Sequence, residues 1–323
     1  AMPGWDPNPV MRAKAAGKLA YESYAASPSG VLQRDLEFLL RDSDPRFKTP
    51  TPEMFDSATP EGFREVWEPL LKQGPVEVLV FGEFDKAATI EALRKTFGAL
   101  SPRTAPGDAV LSRPISFPDS TETVVRYHRG DANQAAAVIA WPSGAGVENL
   151  RESRRLDVLA SIFNNRLMDA MREHAGASYS PVVRSDWPSD VDSGGRIVAL
   201  AQLRPQDVPV FFAEAERISA ELASTPIDQD EYNRVVEPLK QYVSRASTGN
   251  LFWLYELENA TVDPRSVGLL RYMLADYTQT PPSELQALAQ KYFSARDGWK
   301  LAVIPQGQEV ATAAGEGVEV AGN

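Results

Sequence analysis

The chain has 323 residues, 43% hydrophobic and 24% charged, the composition of an ordinary globular protein of one or two domains. Its 33 basic and 44 acidic residues give a net charge of −11, which repels phosphate backbones and argues against a nucleic-acid partner. It has no cysteine, which excludes disulfides, iron–sulfur clusters, thiolate zinc sites and cysteine nucleophiles, and only two histidines, His128 and His174.

The first residues lack the basic start and apolar stretch of a secretory leader. Ala1-Met2 reads as a leftover of recombinant expression, so a piece of a longer protein is expected. No apolar run reaches the ~18 residues that would span a bilayer. Residues 10–24 carry a helical pattern, Ser27-Pro28-Ser29-Gly30 breaks it, and 31–41 resume helical spacing. Residues 42–60 are proline-rich and read as a loop. Thr59-Pro60-Glu61 opens a helix with Phe63, Val66, Trp67 and Leu70 on one face, with proline where the N–H has no helical partner anyway. Gly74-Pro75 ends it. Residues 76–84 alternate and predict a strand, and 86–100 predict a helix striped by Ile90, Leu93 and Phe97. Residues 101–120, rich in proline, read as an interdomain linker.

Residues 123–128 and 134–141 predict two strands. Residues 150–173 predict a long amphipathic helix with Leu156, Leu159, Phe163, Leu167 and Ala170 inward, stopped by Gly176. Residues 178–187 and 196–203 read as a hairpin. Asp207 is expected to cap a helix that buries Val208, Phe211, Phe212, Ala215, Ile218 and Leu222. Further helices run to about Phe293, and 299–304 close as a strand. This order predicts an α+β fold, mainly antiparallel sheet with helices packed on one face. Residues 307–323 read as a frayed tail.

TPEGFREVWEPLLKQGPVEVLVF, starting at Thr59, resembles TPPSELQALAQKYFSARDGWKLAVI, starting at Thr280. Phe63, Val66 and Leu70 meet Leu285, Leu288 and Tyr292, at an offset of about 222 residues. The repeat implies two related domains. Residues 1–105 would be the C-terminal part of a truncated first domain, 106–120 a linker and 121–306 a complete second domain. A first domain cut in this way would leave strand 76–84 unpaired and open to homodimerisation, or docked on the second domain.

The layout, together with TPEGFREVWEPLLKQGPVEVLVFGEFD and MREHAGASYSPVV, resembles the pitrilysin/insulinase/mitochondrial processing peptidase family of zinc metallopeptidases. The second stretch is similar to the turn from long helix to strand in the family's non-zinc, C-terminal half. There an arginine and a tyrosine seven residues later face the substrate, which are Arg172 and Tyr179 here. The spacing alone is not specific, since Arg265 and Tyr272 share it. The resemblance implies that the chain is the substrate-binding half of a bacterial zinc metalloendopeptidase. Arg172 would hold a peptide carbonyl and Tyr179 would donate to the scissile carbonyl oxygen. The partner would be an N-terminal, zinc-bearing half in the same or another chain. Periplasmic localisation follows from the resemblance alone.

The family's H-x-x-E-H zinc motif is absent: His128 is followed by Arg-Gly-Asp-Ala and His174 by Ala-Gly-Ala-Ser. No metal site is expected, including one built from either histidine with Asp131 or Glu173, so zinc belongs to the missing half. His128 is expected at the surface end of a strand, and His174 on an exposed last helical turn. No P-loop, G-x-S-x-G or G-x-G-x-x-G motif occurs. Gly144-Ala145-Gly146 reads as a strand-to-helix loop. Asp190/Asp192 read as solvated loop charges, and Asp228-Asp230-Glu231 as a helix start. A non-catalytic scaffold of the same fold is the alternative reading.

Overall fold

The computed structural model describes residues 5–105, 113–175, 180–258, 260–261 and 263–310. Helices α1 (Pro7–Ser23), α2 (Pro28–Leu39), α3 (Pro52–Ser57), α4 (Pro60–Leu70) and α5 (Lys86–Lys95) precede strands β1 (Val124–His128) and β2 (Ala135–Pro142). The long α6 (Leu150–Ala175), hairpin strands β3 (Val182–Asp186) and β4 (Arg196–Leu203), and α7 (Val208–Ser224) follow. Then come α8 (Gln229–Ala246), α9 (Asn250–Glu256), α10 (Arg265–Leu270), α11 (Met273–Thr278), α12 (Pro282–Phe293) and β5 (Trp299–Pro305).

The strands form one sheet in the order β1-β5-β2-β4-β3. Only β1 and β5 run parallel; the other pairings are antiparallel, giving the expected α+β fold. Strand β2, AAAVIAWP, does not alternate in polarity because both of its faces are buried. Ala135, Ala137, Ile139 and Trp141 share a core with α6, α7, α8 and α12. Trp141, Phe163 and Phe293 meet there as an aromatic triad with ring centroids 5.1–5.8 Å apart. Ala136, Val138 and Ala140 face Val31, Leu36, Leu39 and Leu40 of the α2 region on the opposite side. The sheet therefore has helices on both faces and not on the one face expected, the second cover coming from the N-terminal part of the chain. Buried Arg196 ties that cover down: it donates to both Glu37 oxygens at 2.7 and 2.9 Å and to Asp186 at 3.1 Å.

Residues 113–120 run against the second part of the chain. Ile115 is buried, and its N–H donates to Ser193 Oγ at 2.8 Å. Gly194, at φ +85°, leaves room for the Ile115 side chain that a Cβ would crowd at 3.0 Å.

Three further expectations need correction. Residues 76–84 form no strand and bend at Gly82-Glu83. A strand exists only with a ladder partner; β5, its counterpart in the repeat, has one on each side, whereas Val76, Val78 and Val80 stay largely exposed. The segment instead touches the second part through Glu77, which accepts from the Thr261 N–H at 2.9 Å. Likewise α4 leaves Phe63, Val66 and Leu70 exposed where α12 buries Leu285, Leu288 and Tyr292. His128, expected at the surface, is fully buried. Its Nδ1 accepts from the Gly130 N–H at 3.1 Å, which leaves Nε2 to donate to the Gln134 carbonyl at 2.8 Å. Asp207 precedes α7, but its carboxylate takes the Arg204 guanidinium at 2.8 Å.

Candidate functional site

Helix α6 presents its apolar stripe, Leu156, Leu159, Ile162, Phe163, Leu167 and Met171, to the core. The same 3.6-residue period sends Arg166, Asp169 and Arg172 toward the flank and surface. Helix α8 buries Tyr232, Val235 and Val236 and turns Glu231 and Arg234 toward α6. Asp228 starts α8 by accepting from the N–H groups of Asp230 and Glu231 at 2.9 and 3.2 Å. The two helices are joined by a fork: Arg166 Nε and Nη2 donate to Glu231 Oε1 and Oε2, each at 2.8 Å. Beside it opens a cavity of about 390 Å³ lined by Arg166, Asp169, Arg172, Glu231 and Arg234 among others.

Arg172 thus stands exposed on the last turns of α6, with Asp169 as its nearest carboxylate at 4.0 Å. Its head remains available to bond an acceptor from outside the chain. Tyr179 lies outside the described residues. His174 is exposed on the last turn as expected, 3.3 Å from Glu214. Arg265 is occupied by Asp263 and Glu148, so the second Arg–Tyr pair of the same spacing offers no free cation. Sequence reading missed Arg166 and Arg234 and took Glu231 only as part of a helix start. The polar stripe at 166, 169 and 172 was a signal for the groove, but nothing in sequence pairs it with α8.

A second polar cluster lies deeper. Asp276 of α11 is buried and accepts from Arg151 Nε at 2.9 Å and Arg154 Nη1 at 3.2 Å. Next to it Tyr277 donates its hydroxyl to Asp157 at 3.1 Å. Burial pushes the Asp157 carboxyl up to about 6, against the pull of Tyr277 and Arg154. Burial also raises the Tyr277 phenol and the Glu256 carboxyl. The cluster clamps α11 to α6.

Neither histidine suits a metal. Both ring nitrogens of buried His128 are already bonded, and His174 has Glu214 beside it but no third donor among the described residues. Among the described residues, no group of three or more His, Asp or Glu side chains could hold an ion. No helix among the described residues is long and apolar enough to cross a membrane.

A family model described as "Peptidase M16 inactive domain" matches residues 57–239. A search of curated proteins by sequence finds no significant match. Among solved structures, the peptidase M16 inactive domain from Pseudomonas fluorescens aligns with a TM-score of 0.76 at 14% identity, covering 95% of this chain and 72% of that one. The periplasmic protease PqqL from Escherichia coli aligns with a TM-score of 0.73 at 14% identity, covering 93% of this chain and 33% of that one. The ferredoxin protease FusC, in complex with Arabidopsis ferredoxin, aligns with a TM-score of 0.66 at 15% identity, covering 93% and 32%. The chain therefore spans about a third of the length of these two proteases.

Proposed function

Because this chain belongs to the peptidase M16 inactive-domain family, we propose that it is the non-catalytic, substrate-binding half of a zinc metalloendopeptidase. The observation that carries this reading is Arg172, exposed at the end of the long helix and lining an open groove with no carboxylate within hydrogen-bonding distance. Arg172 holds a backbone carbonyl of the bound peptide. Tyr179, seven residues on in sequence, donates its hydroxyl to the scissile carbonyl oxygen as charge develops there. Zinc, held by the other half, supplies an activated water for attack on that carbonyl. In this reading the other half alone holds the metal, and the chain by itself is expected to hydrolyse nothing. The zinc-bearing half is its partner, and the periplasm is the proposed compartment, by likeness to the periplasmic protease PqqL.

The test pairs this chain with its zinc-bearing half and follows peptide cleavage. Tyr179→Phe is expected to lower kcat by roughly 10²–10³, the contribution of one transition-state hydrogen-bond donor. Arg172→Ala is expected to raise KM as well, because its contact exists already in the ground state. Parental rates in both variants would refute the assignment.

A further inference from the structure

The groove between α6 and α8 holds more positive charge than its own carboxylates neutralise. Three arginines, Arg166, Arg172 and Arg234, line it with two carboxylates, Asp169 and Glu231. Glu231 is already engaged, because each of its oxygens accepts from Arg166 at 2.8 Å. Arg234 lies one helical turn further along α8, exposed, and no ion pair to it occurs among the described residues. Asp169 sits 4.0 Å from Arg172, outside hydrogen-bonding reach, and is itself largely exposed. Two guanidiniums on neighbouring helices therefore border one cavity with their donors facing water. This excess stands on a chain whose net charge is −11.

We infer that this groove binds a carboxylate of the bound peptide and that Arg234 is the residue that selects for it. The inference rests on the peptide-binding reading above and names the chemistry the peptide must bring. A guanidinium is a planar fork that matches a carboxylate with two parallel bonds, a geometry no neutral amide reproduces. The volume, about 390 Å³, lies at the low end of ligand pockets, roughly 300–1,000 Å³. It suits one acidic side chain or a chain terminus. Arg172, nearer the helix end, is left for the peptide backbone.

The carboxylate could come from an aspartate or glutamate side chain or from the peptide's C-terminus, and the two sources separate experimentally. Fluorescein-labelled peptides are titrated with the chain at low ionic strength and followed by anisotropy. One carries a single glutamate and an amidated C-terminus, its twin has glutamine in that place, and a third has glutamine and a free C-terminus. A carboxylate-bearing peptide is expected to bind about tenfold tighter than the amidated glutamine twin, as one charge-assisted pair allows in an exposed groove. Bulk charge works in the opposite direction, because an acidic chain repels an acidic peptide, so the preference must arise locally. The peptide that shows the gain identifies the source. Arg234→Gln should abolish the gain and leave the amidated twin unchanged, whereas Arg172→Gln should weaken all three. Circular dichroism checks that both surface variants remain folded. Equal affinities for all three peptides, or an Arg234→Gln variant that weakens them equally, would overturn the inference while the peptide-binding role stands. Failure of every peptide to bind would overturn both.

Discussion

The buried carboxyl of Asp157 gives a stability test with a definite sign. Its folded-state value is about 6, against an ordinary 3.8. A raised carboxyl binds its proton more tightly in the folded than in the unfolded chain. Its contribution is therefore fully present below about pH 4 and is lost as pH rises through 6. The gap of about two units corresponds to roughly 3 kcal/mol at pH 8, to about half of that at pH 5, and to little at pH 4. Asp157→Asn removes the charge while its amide oxygen can still accept from Tyr277, 3.1 Å away in the parent. The variant should unfold at higher urea than the parent at pH 8, with the advantage shrinking steadily toward pH 4. Urea melts of both proteins at pH 4, 5, 6.5 and 8 provide the measurement. A difference that does not change with pH, or a variant less stable at pH 8, would show that Asp157 is not held by burial above its ordinary range.

Phe163→Ala empties the centre of the aromatic triad with Trp141 and Phe293 and should cost about 3–5 kcal/mol in the same urea assay. His128→Phe keeps a ring in the core but leaves the Gly130 N–H and the Gln134 carbonyl without partners, and should destabilise by roughly 1–3 kcal/mol for each group left bare. Glu231→Gln breaks the fork that joins α6 to α8 at a half-buried site and should cost about 1 kcal/mol, with a salt dependence weaker than the parent's. Glu37→Gln removes the charge opposite buried Arg196 and should release α2 first, seen as faster amide exchange in α2 and β2 than in α7.

Much of the second part was legible because local pattern and tertiary role agree there. The stripe Leu156, Leu159, Phe163, Leu167 marks one face of α6, and that face is buried. Strands β2, β4 and β5 fall where short apolar runs meet turn residues. What a stripe cannot state is its target. Val31, Leu36 and Leu39 announce an amphipathic α2, yet nothing in them says that the helix crosses to the far face of the sheet. His128 was misplaced for the same reason: an imidazole at a strand end reads as polar until the Gly130 turn wraps its backbone N–H onto Nδ1. The groove was half legible. Arg172 follows from the resemblance, whereas Arg166–Glu231 is a contact across 65 positions that no periodicity encodes.

Residues 59–84 show the same separation of pattern from partner. The self-similarity with Thr280 onward is a statement about side chains: both copies offer an amphipathic helix followed by alternating valines or their equivalents. In the second copy the helix packs into the core with α6 and α7, the strand finds β1 and β2 on either side, and Leu301 and Val303 are fully buried against Val31, Leu36 and Leu39 of the α2 region. In the first copy the same kind of sequence forms no ladder, with Val78 at 37% and Val66 at 67% exposure. Backbone preference alone therefore does not make the strand; β-propensity is the ability to fit a pleated, half-buried surface that neighbours must provide. If that is the cause, Val78→Lys should leave the urea midpoint of the chain unchanged within about 0.5 kcal/mol, as for any exposed position. It should also lower any concentration-dependent mass seen by light scattering, because the lysine blunts an open edge. A loss of stability comparable to a core substitution would mean that 76–84 is already paired in solution and would refute this account of the missing ladder.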